Sequence, residues 1–200
     1  MKKIIVLIFF ALAFVKAFAQ ETNKQNHFDF SLSYKLGVSK MNTSELKNFN
    51  GNIQSKELLF GYFLEEHIKI SSGIGLTEFN TNMFANGELS NLNSQFIHIP
   101  LKFNTDYHMN QSEDIKLILG IGALGNYHLR TKIEDSIHTV RTKNNRWHFG
   151  VLAEIGVDFK IAKDLNIGLL FESNFSPSFM KDEKMNLKNN MFKLSFAYKI

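Results

Sequence analysis

An all-β, eight-stranded antiparallel up-and-down barrel is the fold this sequence predicts, and three observations carry it. The chain beyond residue 27 falls into eight segments of roughly ten residues in which apolar and polar side chains alternate, the signature of strands with two unlike faces. The connections between these segments alternate between short and long. Composition agrees: 20 phenylalanines against 2 prolines, with many Asn and Ser residues, favour strands joined by polar loops. With no cysteine, stability must come from strand pairing and burial and not from disulfides or thiolate metal sites. The bulky rows lie on one face and the opposite rows are polar or small. The barrel is therefore expected to span a membrane, with its apolar rows toward lipid.

Residues 1–19 stand apart from the fold. Lys2 and Lys3, an apolar run from Ile4 to Val15, and Ala17-Phe18-Ala19 before Gln20 are the three parts of an export signal. As a membrane helix the run is short of the roughly 20 residues required, and Lys16 interrupts it. The expected organisation is a signal peptide, 1–19, followed by a single outer-membrane β-barrel domain, 20–200. Losing Lys2, Lys3 and Lys16 leaves 20 basic residues against 19 acidic, so the formal charge of +4 nearly vanishes. A near-neutral mature chain gives no electrostatic reason to expect a nucleic-acid partner.

The first strand, about 28–38, puts Phe28, Phe30, Leu32, Tyr34, Leu36 and Val38 on one face, over Asp29, Ser31, Ser33, Lys35 and Gly37. A one-residue slip would exchange the faces, so its register is well defined. The second, about 56–64, has Leu58, Phe60, Tyr62 and Leu64 outside, but Leu59 and Phe63 would point inward. After a tight turn at Glu65-Glu66-His67, the third carries Ile68, Ile70, Ile74 and Leu76 over an inner face that is nearly all small. The fourth, 96–107, shows Ile97, Ile99, Leu101, Phe103 and Tyr107 outside, with His98, Pro100, Lys102 and Asp106 inside. A proline cannot donate to the ladder, so Pro100 is expected at a bulge or bend.

Strand five follows a turn near 110–114 and alternates Ile115, Leu117, Leu119, Ile121 and Ala123 with Lys116, Gly120, Gly122 and Asn126. Strand six places Trp147, Phe149, Val151, Ile155, Val157 and Phe159 outside, over His148, Gly150, Glu154, Gly156 and Asp158. Strand seven follows Lys163-Asp164 with Leu165, Ile167, Leu169, Phe171 and Phe175 over Asn166, Gly168, Glu172 and Asn174. Strand eight closes the chain with Phe192, Leu194, Phe196, Tyr198 and Ile200. Long loops are expected at 40–55, 78–94, 131–145 and 176–190, and short turns after strands two, four and six. This asymmetry is that of barrels with both ends in the periplasm and long loops outside. A soluble lipocalin-like barrel would need its large residues on the row that here carries glycine, so the membrane reading is preferred.

Phe96-Ile97-His98-Ile99-Pro100-Leu101-Lys102-Phe103 resembles the aromatic-x-x-Ile-Pro-Leu strand of the PorT-like outer-membrane β-barrel proteins of Bacteroidota. Leu117-Ile118-Leu119-Gly120-Ile121-Gly122, Phe149-Gly150-Val151 and the closing strand extend the resemblance over the mature chain. It implies an eight-stranded barrel in the bacterial outer membrane and, for some members, participation in a secretion or gliding apparatus. Members often carry an acidic residue before Ile-Pro. Here His98 stands there, so an ion pair is not transferred to that position.

The inward rows hold Lys35, Lys69, His98, Lys102, Asp106, Lys116, Glu154, Asp158, Glu172, Lys193 and Lys199, both signs together. In an eight-stranded lumen such charges are expected to pair into a polar network that fills the barrel. His128 and His148 flank the third loop. In one hairpin register they face each other and could share a metal; in the register two residues away Lys116 meets Asp158 and avoids Lys160, and this one is preferred. Asp135, Ser136 and His138 contain the residue types of a hydrolytic triad, but four neighbouring residues of one loop rarely set that geometry. Met83-Phe84-Ala85-Asn86 and Phe175-Ser176-Pro177-Ser178-Phe179-Met180 suit either protein contacts or an interfacial aromatic girdle. No catalytic, cofactor-binding or metal residue is assigned. The expected function is that of a non-enzymatic scaffold or interaction element. Its expected partners are outer-membrane lipid and, through long extracellular loops, envelope proteins. A lipid-modifying hydrolase or acyltransferase is the alternative, and a small pore comes third.

Overall fold

The computed structural model describes residues 28–42, 49–85, 88–109, 114–134, 139–143, 146–176 and 186–200. The strands are β1 (Phe28–Asn42), β2 (Phe49–Glu65), β3 (Ile68–Ala85), β4 (Glu88–His108), β5 (Ile115–Glu134), β6 (Thr139–Thr142), β7 (Arg146–Ala162), β8 (Leu165–Ser176) and β9 (Asn186–Lys199). All pairings are antiparallel. The first strand pairs with both β2 and β9, and the sheet closes through β4–β5. Eight strands thus form a ring, as expected. The ninth, β6, is a four-residue arm that pairs only with the end of β5. Closure leaves the eight-stranded ring without a free edge where it crosses the lipid, the condition for a sheet in a membrane.

The ring has two ends. The turns Glu66–His67 and Lys163–Asp164 lie at one of them, together with Met109, Asp114, the start of β1 and the end of β9. There the Ile200 amide donates to the Phe28 carbonyl at 2.7 Å, and the Lys199 amide to that of Asp164 at 2.8 Å. This is called the turn end, and the opposite one the loop end.

Toward the turn end the outer face is apolar. Leu32, Leu36, Ile74, Leu101, Ile121, Val151, Ile155, Leu169 and Phe192 are all exposed there. The expected in-and-out assignment holds on every ring strand, with Leu59 buried in the lumen as anticipated. Phe63 also faces the lumen, where the ammonium groups of Lys69 and Lys199 sit 5.5 and 5.1 Å from its ring.

Two expectations are corrected. The loops at 40–55 and 78–94 are largely strand: β3 runs to Ala85, β4 begins at Glu88, and β2 begins at Phe49. The alternation there continues with its polarity inverted. On β2 to β4 the outer row becomes Asn50, Asn52, Gln54, Glu78, Asn80, Asn93 and Gln95, while Ile53, Phe79, Leu92 and Phe96 are buried inside. A crossing needs only about 9–11 residues per strand, so β4 with its 21 residues stands well clear of the lipid. In that region water wets the outer face, and the apolar residues turn into the lumen.

Pro100 is not at a bulge. The β3–β4 register is the same on either side of it, from Ser72↔Leu101 to Gly75↔His98. Its missing donor leaves a gap in that ladder, and Ser72 Oγ bridges to the Pro100 carbonyl at 2.8 Å. The irregularity of this strand falls instead at Gln95/Phe96, against β5.

Candidate functional site

At mid-barrel the inward side chains form a closed charge cluster. Lys35 Nζ donates to Glu57 Oε1 at 2.9 Å and to Glu172 Oε2 at 2.7 Å. Lys102 Nζ reaches three carboxylates: Glu57 at 3.2 Å, Glu154 at 3.2 Å and Glu172 at 2.9 Å. Lys193 Nζ meets Glu154 Oε2 at 3.1 Å. Three ammonium groups and three carboxylates balance, and all six side chains are buried. His98 joins the cluster: Nε2 lies 3.2 Å from Glu57 Oε1, and Nδ1 lies 3.0 Å from Thr77 Oγ1.

The registers show why directly opposed residues cannot supply all the partners. Lys35 lies directly opposite Lys193 on β9, and Glu154 directly opposite Glu172 on β8. Neighbouring like charges repel, so each pair depends on the opposite sign reaching over from another strand. The inner glycines make that reach possible. Asn104, Gly120 and Glu154 occupy one row, and Asn104 Nδ2 donates over the glycine to Glu154 Oε1 at 2.6 Å. A Cβ at Gly120 would stand 2.7 Å from Glu154 Cγ.

Above this cluster, toward the loop end, Met41, Phe79, Leu92, Phe96 and Leu187 form an apolar plug, with Phe49 and Ile133 packed against it. Beside the charge cluster and the plug lie two voids of about 10 Å³ each, room for roughly one water. Below the cluster, a polar cavity of about 70 Å³ lies toward the turn end among Asp29, Lys69, Asp106, Lys116, Asp158 and Lys199. Among the described residues, side chains therefore fill the middle of the lumen and the level of the plug above it.

The Lys116↔Asp158 register is the one expected, and His128 pairs with Arg146 while His148 pairs with Asn126. Lys116 Nζ nevertheless bonds Asp106 at 3.0 Å, and Asp158 accepts from Asn166 at 2.9 Å. His128 stacks on Phe96 at 4.6 Å between ring centroids, with Nε2 2.9 Å from Thr131 Oγ1. No metal-ligating group of three includes either His128 or His148 among the described residues. Asp135, Ser136, His138, Asn86, Pro177, Ser178, Phe179 and Met180 lie outside the described residues. Phe175 lies on the outer face of β8, opposite Val151 and Lys188.

Two features escaped the sequence reading: Glu57, which parity alone would have turned inward, and the plug, whose residues except Phe96, the first of the expected fourth strand, fell in segments read as loops. A third is a polar ladder on the outer face beyond the apolar band. Gln54, Glu78, Gln95 and Arg130 are cross-strand neighbours on β2 to β5. Gln54 Nε2 and Gln95 Nε2 donate to Glu78 at 2.8 and 3.0 Å, and Arg130 Nε donates to Gln95 Oε1 at 2.8 Å. In the next row Asn93 Nδ2 donates to Asn80 at 2.5 Å.

A closed antiparallel ring with a lipid-compatible band, a packed interior and short turns at one end defines a transmembrane β-barrel. Residues 5–199 match the outer membrane protein beta-barrel domain, and the chain belongs to that family. It is a protein of the bacterial outer membrane. Among solved structures it is similar to Neisserial surface protein A (NspA), with 14% identity and a TM-score of 0.56, covering 86% of this chain and 97% of that one. The outer membrane protein OprG from Pseudomonas aeruginosa aligns at 11% identity and a TM-score of 0.48, over 88% and 96% of the two chains. Ail, the attachment invasion locus protein of Yersinia pestis, aligns at 13% and 0.45, over 86% and 99%. No curated protein matches in sequence. At these identities the likeness concerns the fold.

Proposed function

We propose that this protein is a non-enzymatic scaffold of the outer membrane whose working surface is the part of the barrel that stands beyond the lipid. The observation that carries this reading is the hydrogen-bonded polar ladder on the outer faces of β2 to β5. It is half-buried, partly open to solvent and held by side-chain bonds, so a partner meets a preorganised surface and little ordering entropy opposes binding. The filled lumen supports the same reading, because it leaves the outside of the barrel as the place for recognition. In this reading the signal at 1–19 exports the chain, the turn end faces the periplasm, and the loop end meets envelope proteins outside the cell. The resemblance to PorT-like barrels makes a secretion or gliding-type assembly the setting to examine.

Photocrosslinking residues placed at Asn80 and Asn93 test the proposal in living cells, with Asp164 at the turn end as the comparison. One discrete protein adduct shared by the first two positions and missing from the third is expected. Lipid adducts alone from all three positions would overturn it.

A further inference from the structure

At the turn end, below the charge cluster, two histidines and a glutamate come together. Glu66 and His67 form the β2–β3 turn, and His108 is the last residue of β4. One ligand atom from each lies within 4.8 Å of the other two. The His67 and His108 rings meet edge-on, 5.2 Å between centroids and at 79°.

His67 is held from two sides by Asp106. Its carbonyl accepts the Asp106 amide at 3.0 Å, and its Nδ1 donates to Asp106 Oδ1 at 2.7 Å. Lys116 fixes the other oxygen of that carboxylate at 3.0 Å. With its proton on Nδ1, the ring keeps the lone pair on Nε2, which is the orienting arrangement found behind metal-ligating histidines. His108 adds a second observation: its Nδ1 is shielded from solvent and has no hydrogen-bond partner. Around zinc at bond lengths of about 2.0–2.2 Å, the donors must close by up to about 1.5 Å from their present spread. His67 is 44% exposed at its side chain and Glu66 is exposed as well, so both have room to turn inward.

We infer that Glu66, His67 and His108 form a binding site for a borderline divalent metal ion of the zinc class, oriented by Asp106. Two imidazoles and one carboxylate suit Zn²⁺ and its transition-metal neighbours, whereas Ca²⁺ and Mg²⁺ require oxygen ligands. Three protein donors leave a fourth position for water or for a donor from another molecule. The ion would tie the β2–β3 turn to the end of β4 at the mouth of the polar cavity, which His67 and Asp106 also line.

Equilibrium dialysis of the barrel, produced without a histidine tag and folded in detergent micelles, tests this with Zn²⁺ as the probe. One equivalent of Zn²⁺ is expected, with no uptake of Mg²⁺. Asp106→Asn should weaken binding about 10- to 100-fold through the lost orientation of His67. His67→Ala and His108→Ala together should abolish it, while His128→Ala leaves it unchanged. Trp147 fluorescence confirms folding, and Glu66→Gln, an exposed turn residue, weakens binding without a folding ambiguity. Co²⁺ substituted for Zn²⁺ should give visible absorption bands of a low-coordinate site. Absence of Zn²⁺ uptake by the folded wild type, or equal uptake by the double-histidine variant, would overturn the assignment.

Discussion

Replacing Lys102 by methionine removes the ammonium group on which Glu57, Glu154 and Glu172 converge and leaves the side-chain volume nearly the same. The cluster then holds Lys35 and Lys193 against three carboxylates, a buried excess of one negative charge. Breaking a buried ion pair by removing one partner costs about 3 to 5 kcal/mol. The lower part of that range applies here, because each carboxylate keeps one cation: Lys35 for Glu57 and Glu172, and Lys193 for Glu154. Adding Glu172→Gln restores the balance of two against two. The double variant should therefore recover about 1 to 2 kcal/mol relative to Lys102→Met alone, a coupling typical of residues in one network. Urea unfolding in phospholipid vesicles measures both, read by Trp147, the single tryptophan of the chain. It reports well because it sits on the outer face, 5.2 Å from the Tyr127 ring and 6.2 Å from that of Phe149. A Lys102→Met barrel as stable as wild type, or a double variant less stable than the single, would refute the cluster as a charge-balanced unit.

The same assay tests the wall. Leu119→Arg or Ile155→Arg, neighbours across β5 and β7 on the outer face, should each cost about 2 to 4 kcal/mol, whereas Asn52→Arg, exposed on the outer row beyond the band, should stay within about 0.5 kcal/mol. Phe79, with no exposed surface, should cost about 3 to 5 kcal/mol when replaced by alanine; a loss no larger than that of Phe103→Ala on the lipid face would argue against a packed plug. In planar bilayers the wild-type barrel should show no stable conductance, since plug and charge cluster interrupt any water path, and reproducible single-channel steps would point to a pore.

Much of the fold was legible in the sequence, because a lipid-facing strand imposes a rule that acts along the chain. Phe192, Leu194, Phe196 and Tyr198 must all face one way, so their spacing reveals both the strand and its outer face. The rule depends on the solvent, and it ends where the lipid ends. Past Leu76 the outer row becomes Glu78, Asn80 and Asn82, and past His98 the inner row becomes Phe96 and Leu92. A reader seeking apolar rows outside finds none there and sees loops.

Strand number, in-and-out assignment and membrane location were thus determined by the sequence, through side-chain periodicity and the chemistry of the two solvents. Even the Lys116↔Asp158 register followed from the charges of two neighbouring strands. The tertiary structure alone decided who meets whom across the lumen. Lys35 finds Glu172 137 positions away, and Lys102 finds Glu154 52 positions away, whereas their direct cross-strand neighbours are Ser55 and Lys193 for the first and Ser71 and Gly122 for the second. Ring closure sets those distances, and closure is a property of all eight strands together. The same holds for His67 and His108, which meet because β2, β3 and β4 end side by side and Asp106 holds one of the rings in place.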